Sequence, residues 1–80
     1  MRNYKDMAPE QRFEELAMMA EEFFGVTTWR GKFAERYDMT AQQLSAWAKS
    51  SPPTPVWALV AIHDAMNAQR LETIRNWLKG

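Results

Sequence analysis

Three prolines in four residues, Pro52, Pro53 and Pro55, divide this chain into two stretches that cannot be one continuous helix. Each proline removes a backbone donor, and each pushes the residue before it out of the helical region. Any helix approaching Ser50 and Ser51 must therefore stop there. Pro55, whose fixed φ suits a first helical turn, marks where the next helix begins.

On either side of this loop the apolar residues recur at three- and four-residue steps, so an all-α fold is expected and no strand is needed. Pro9 fits the first position of a helix and Gly25 fits a left-handed stop, which predicts helix one over residues 9 to 24. Phe13, Leu16, Ala17, Ala20, Phe23 and Phe24 form its apolar stripe. Thr27 or Thr28 can cap a second helix from Trp29 to Tyr37, with Trp29, Phe33, Ala34 and Tyr37 on one face. Thr40 can cap a third from Ala41 to about Lys49, with Leu44, Trp47 and Ala48 inward.

After the loop, Val56, Leu59, Val60, Ile62 and Met66 supply the apolar surface of a fourth helix. Leu71, Ile74, Trp77 and Leu78 continue the helical spacing, and the sequence leaves open whether this segment bends near Asn67. Trp29, Trp47 and Trp57 each lie on an apolar stripe and are expected in the core. The expectation is a compact bundle of four to five helices forming one domain over 1-80, with its helix pair at about 29-49 and a C-terminal helical segment over 55-79.

Composition narrows the function classes. Eighty residues support one core, and 46% hydrophobic content with four Trp and four Phe gives that core large side chains. Cysteine is absent and His63 is the single histidine, so disulfides, thiolate metal sites and cysteine nucleophiles are excluded. Nothing suggests an enzyme, a cofactor, a metal site or a small-molecule ligand. The N-terminus Met-Arg-Asn-Tyr-Lys-Asp lacks a signal-peptide pattern, and no apolar run reaches the roughly 18 residues of a membrane span, so no membrane partner and a cytoplasmic location are expected.

The net charge is zero, but the charges are segregated. Residues 1 to 28 hold six acids against Arg2, Lys5 and Arg12. Residues 29 to 50 hold Arg30, Lys32, Arg36 and Lys49 against Glu35 and Asp38. The middle of the chain is cationic, and it is the distribution of charge that steers a polyanion.

The segment from Arg30 to Trp47 resembles the helix-turn-helix of the Cro and phage-repressor family. Ala34 stands where that family has a small residue at the helix crossing, Phe33 is a core aromatic beside it, and Leu44 and Trp47 match the two buried positions of the second helix. Thr40 matches its hydroxyl cap. Asp38 departs from the pattern, since the turn position there is usually Gly; it must adopt a left-handed backbone or reshape the turn. Pro52, Pro53, Leu59 and Ile62 carry a looser resemblance to small phage regulators, including anti-CRISPR-associated proteins.

The resemblance implies a sequence-specific regulator of transcription, a phage or mobile-element repressor acting on double-stranded operator DNA in a bacterial cell. An α-helix fits the major groove, and subtracting the buried positions leaves Ala41, Gln42, Gln43, Ser45 and Ala46 to read bases. Gln42 suits an adenine edge, Ala41 and Ala46 suit thymine methyls, and Ser45 suits a base or a phosphate. Arg30, Lys32, Thr40 and Lys49 are placed for phosphates. Leu71, Ile74, Trp77 and Leu78 either close the core or form a homodimer interface, and a homodimer is expected. Two alternatives are a protein-interaction module using the same helix pair and an accessory domain of DNA packaging or recombination.

Overall fold

The computed structural model describes residues 4–79; Arg2, counted above among the charges, lies outside them. A 3-10 turn at Tyr4–Asp6 precedes four helices: α1 (Pro9–Phe24), α2 (Trp29–Arg36), α3 (Ala41–Ala48) and α4 (Val56–Lys79). No strand occurs among the described residues. The all-α bundle and the order of its helices agree with the periodicity of the sequence.

The helix ends follow from local chemistry. Pro9 opens α1, and the Gln11 side-chain oxygen accepts the Ala8 N–H at 3.2 Å. Gly25 closes α1 at φ 113°, where a Cβ would sit 2.8 Å from Thr28 Oγ1, so only glycine fits. Thr28 stands at the start of α2 but does not cap it through its side chain as expected. Its hydroxyl instead donates back to the Phe24 carbonyl at 2.9 Å, because its backbone is already helical and the side chain points at the preceding turn.

α2 and α3 both end on a residue other than glycine in the left-handed region, Asp38 at φ 54° and Ser50 at φ 58°. In each case the chain closes with the six-to-one hydrogen bond of a Schellman motif: Met39 N–H donates to Ala34 O at 2.8 Å, and Ser51 N–H to Ala46 O at 3.0 Å. Asp38 thus adopts the left-handed backbone that its position requires.

The core draws on every helix: Leu16, Met19 and Ala20 from α1, Trp29 and Phe33 from α2, Leu44 and Trp47 from α3, and Ala58, Leu59, Ile62 and Met66 from α4. Phe33 sits at its centre, fully buried, with Phe24 and Trp47 presented to it edge-on at 6.5 and 6.4 Å. Such pairs add about 0.5–1.5 kcal/mol to the burial of the rings themselves.

The loop after α3 is pinned from below. Thr54 is fully buried, and its carbonyl accepts from the Arg12 guanidinium at 3.4 Å. The same guanidinium donates to the carbonyls of Tyr4 and Lys5, so one side chain on α1 holds the N-terminal turn and the loop together.

Three inward assignments are corrected. Trp57 is 49% exposed, stacked edge-on against Trp47 and Tyr37 at the rim of the core. Ala48 is exposed, because Trp47 fills the inward position next to it and rotates Ala48 outward, while Ala46 is half-buried. Val60 is 43% exposed on the outer side of α4.

α4 runs through Asn67 without a break, since no glycine or proline interrupts it. Met66 is its last buried residue. Leu71, Ile74, Trp77 and Leu78 are 55% to 81% exposed, so the C-terminal segment does not close the core.

Candidate nucleic-acid interface

α3 is held as a rigid element by its two ends and its inner face. At the start, Thr40 is extended (φ −101°, ψ 157°), its hydroxyl oxygen accepts the Gln43 N–H at 3.2 Å, and the Gln43 side-chain oxygen accepts the Thr40 N–H at 2.9 Å. This reciprocal pair satisfies two backbone donors that a helix start otherwise leaves free. On the inner face Leu44 and Trp47 are buried against α2 and α1.

The opposite face is presented to solvent. Ala41, Gln42 and Ser45 are exposed, Ala46 is half-buried and Lys49 is exposed. With Ser51 they line a shallow depression of about 410 Å³ along the helix. The lining offers two methyl groups, an amide, hydroxyls and one ammonium, and no carboxylate. An anionic duplex meets no like charge on it, and the groups available are the ones that pair with base edges and thymine methyls in a major groove.

The structure brings together some of the expected residues and not others. Gln43 belongs to the cap: its side-chain oxygen is held by Thr40, which removes the acceptor of a bidentate amide from the reading set. The signal was present in the sequence, since Thr-x-x-Gln at a helix start is a capping-box pattern. Arg30 is exposed on the first turn of α2, its guanidinium over the rings of Phe13 and Trp29 at 5.6 and 5.4 Å. Such stacking holds the planar cation in one orientation while its N–H groups still face outward.

Lys32 lines a different depression with Phe24, Glu35 and Arg36, sharing no residue with the α3 face. Arg36, which the sequence did not single out, lies over the rings of Phe23 and Tyr37 at 5.6 and 5.8 Å. On α1, Glu14 and Glu15 line a third depression with Met7, Gln11 and Met18, again separate from α3. Glu14 and Glu15 thus lie apart from the α3 face, while Glu35 shares its depression with Lys32 and Arg36.

Among the described residues no group of three or more His, Cys, Asp or Glu side chains is placed to hold a metal ion, and no helix is long and apolar enough to cross a membrane. Leu71, Ile74, Trp77 and Leu78 lie away from the α3 face, on the part of α4 beyond Met66. The chain matches no family model, no curated protein and no solved structure, so a function must be argued from the chemistry of the α3 face.

Proposed function

We propose that this protein is a sequence-specific double-stranded DNA-binding regulator, with α2 and α3 as its helix-turn-helix and α3 as the helix that enters the major groove. The observation that carries this reading is the outer face of α3: small, polar and free of carboxylates, on a helix fixed by Leu44, Trp47 and the Thr40–Gln43 cap. A helix with a merely solvated surface carries Glu and Lys pairs instead. Gln42, Ser45, Ala41 and Ala46 read bases; Lys49, Arg30 and Thr40 meet phosphates, and Lys32 contributes from the flank. The resemblance of residues 30 to 47 to Cro and phage repressors supports a repressor of phage or mobile-element type acting in a bacterial cytoplasm.

Fluorescence anisotropy with a mixed-sequence duplex at 50 and 200 mM salt tests it. Each phosphate neutralised contributes a slope of about −0.9 in log K against log salt, so three or four contacts weaken binding by roughly 40- to 150-fold over that range. Undetectable binding at 50 mM salt would overturn the reading. It would favour a protein-interaction module built on the same helix pair, a second reading supported by the zero net charge and the glutamates of α1.

A further inference from the structure

The sector of α4 that faces α1 runs on past the core. At about 100° of rotation per residue, Met66, Arg70, Thr73 and Trp77 all lie within roughly 40° of the buried Leu59 around the helix axis. α1 ends at Phe24, and beyond Met66 this sector of α4 is exposed. The core closes there in a cleft of about 390 Å³ between α1 and α4, with Phe23, Met66 and Ile74 as its apolar surface. Glu22 lines it from α1, and Gln69, Arg70 and Thr73 line it from α4. None of these residues belongs to the α3 face.

The polar groups of the cleft differ in what they can still offer. The Thr73 hydroxyl donates to the Gln69 carbonyl at 2.9 Å, so its hydrogen is committed. Arg70 Nη2 stands 3.7 Å from Glu22 Oε1, both side chains being largely exposed, and this contact is too long for a hydrogen bond. The guanidinium is thus drawn toward a carboxylate without engaging it, while its planar fork of donors suits a carboxylate bound by two parallel hydrogen bonds. A second guanidinium, that of Arg36, lies over the ring of Phe23 at 5.6 Å. With one cation in the lining and another against its aromatic surface, an anionic head is favoured over a cationic one.

We propose that this cleft binds a small amphiphile with a carboxylate head. The hydrocarbon tail lies on Phe23, Met66 and Ile74, and the head pairs with the Arg70 guanidinium in the place that Glu22 holds loosely. The Gln69 amide is a second donor within the same lining.

The size selects a small molecule as the occupant. A volume of about 390 Å³ falls within the roughly 300–1,000 Å³ of small-ligand sites. From Met66 to Ile74 the α4 wall is about 12 Å long, which suits one medium-length chain. Three apolar side chains fall well short of the roughly 800 Å² that each partner buries in a stable protein complex.

Titration of the full chain without DNA, followed by the amide NMR signals, tests this with octanoate, octanol and octylamine, which share one tail and differ in the head. Octanoate should give saturating shifts at Phe23, Met66, Arg70 and Ile74 and should bind more tightly than either of the others. Arg70→Gln should weaken octanoate about tenfold, the loss expected for a charge-assisted hydrogen bond. Glu22→Gln should tighten it about threefold, because the chain's own carboxylate no longer competes for the guanidinium. Both sites are exposed, so neither change threatens the fold. Absence of saturable shifts, shifts centred on Trp57 and Val60, or octanol or octylamine binding as tightly as octanoate would each overturn the proposal. So would an unchanged affinity in Arg70→Gln or in Glu22→Gln. Shifts of the cleft residues on dilution, with no response to octanoate, would put another protein chain there and overturn it as well.

Discussion

The indole of Trp47 meets the ring of Phe33 edge-on, with centroids 6.4 Å apart and planes at 76°. This contact joins α3 to α2 at the centre of the core, where Phe33 is fully buried. The outer face of α3 is therefore held in place by the contact that Trp47, on the inner side of the same helix, makes with Phe33 of α2. Phe33→Ala should cost about 3–5 kcal/mol, enough to unfold much of a domain this small, measured by urea denaturation. Phe33→Leu should cost less while leaving the helices in place by circular dichroism.

Gly25→Ala should destabilise the fold by more than about 1 kcal/mol, since φ 113° is strained for any residue with a Cβ and the added carbon would collide with Thr28 Oγ1. Adding Thr28→Ala should recover part of the loss by removing the colliding oxygen. A double variant no more stable than Gly25→Ala would show that the backbone alone accounts for the effect.

Ser50→Gly should stabilise the protein by about 1 kcal/mol, because Ser50 holds a left-handed backbone that costs an L residue about that much. For a domain of this size that is a rise of about 4–8 °C in Tm. Asp38→Gly should gain less. Aspartate tolerates this conformation better than serine, and its carboxylate precedes the positive end of α3.

Thr40→Ala should cost about 1 kcal/mol, because the Gln43 N–H loses its acceptor while the residue-40 N–H keeps the Gln43 side-chain oxygen. Thr40→Ser should retain most of the stability, because the hydroxyl oxygen is the group that accepts the Gln43 N–H. Thermal denaturation of the two variants side by side separates them.

On DNA, Gln42→Ala should reduce discrimination among duplex sequences, whereas Lys49→Ala should weaken all of them alike and lower the salt slope by about 1. Gln43→Ala should act mainly on stability, since its side-chain oxygen serves the cap. Competition titrations against a panel of duplexes read all three. Equal loss of discrimination in Gln42→Ala and Gln43→Ala would show that the cap opens on binding.

What the sequence made legible is what local chemistry decides. Pro9, Gly25, Thr40 and the proline loop are punctuation with a direct steric or hydrogen-bonding cause, and the helix ends fall on them. Phe33, Leu44 and Trp47 were legible as core because their spacing leaves them one face to share. Trp57 was not, since a helix stripe says which residues lie together but not how far the neighbouring helices extend to cover them. The same ignorance of neighbours hid the two faces of α4: Val60 and Leu59 belong to one apolar pattern in sequence and to opposite environments in space. Gln43 was given to DNA although Thr40-x-x-Gln43 has capping-box spacing, because the same amide also suits a base edge and the extended backbone of Thr40 is what engages it in the cap.

Arg12 has a reach out of proportion to its position. Its guanidinium collects the carbonyls of Tyr4, Lys5 and Thr54, and the Thr54 hydroxyl beside them has no hydrogen-bond partner. Fraying of the first turn would strip a clasp from the very peptide that sets how the chain leaves α3 and enters α4. The opening residues thus act as a strut for the far end of α3, and a bulky fusion placed ahead of Tyr4 would be felt there, some forty residues away in sequence.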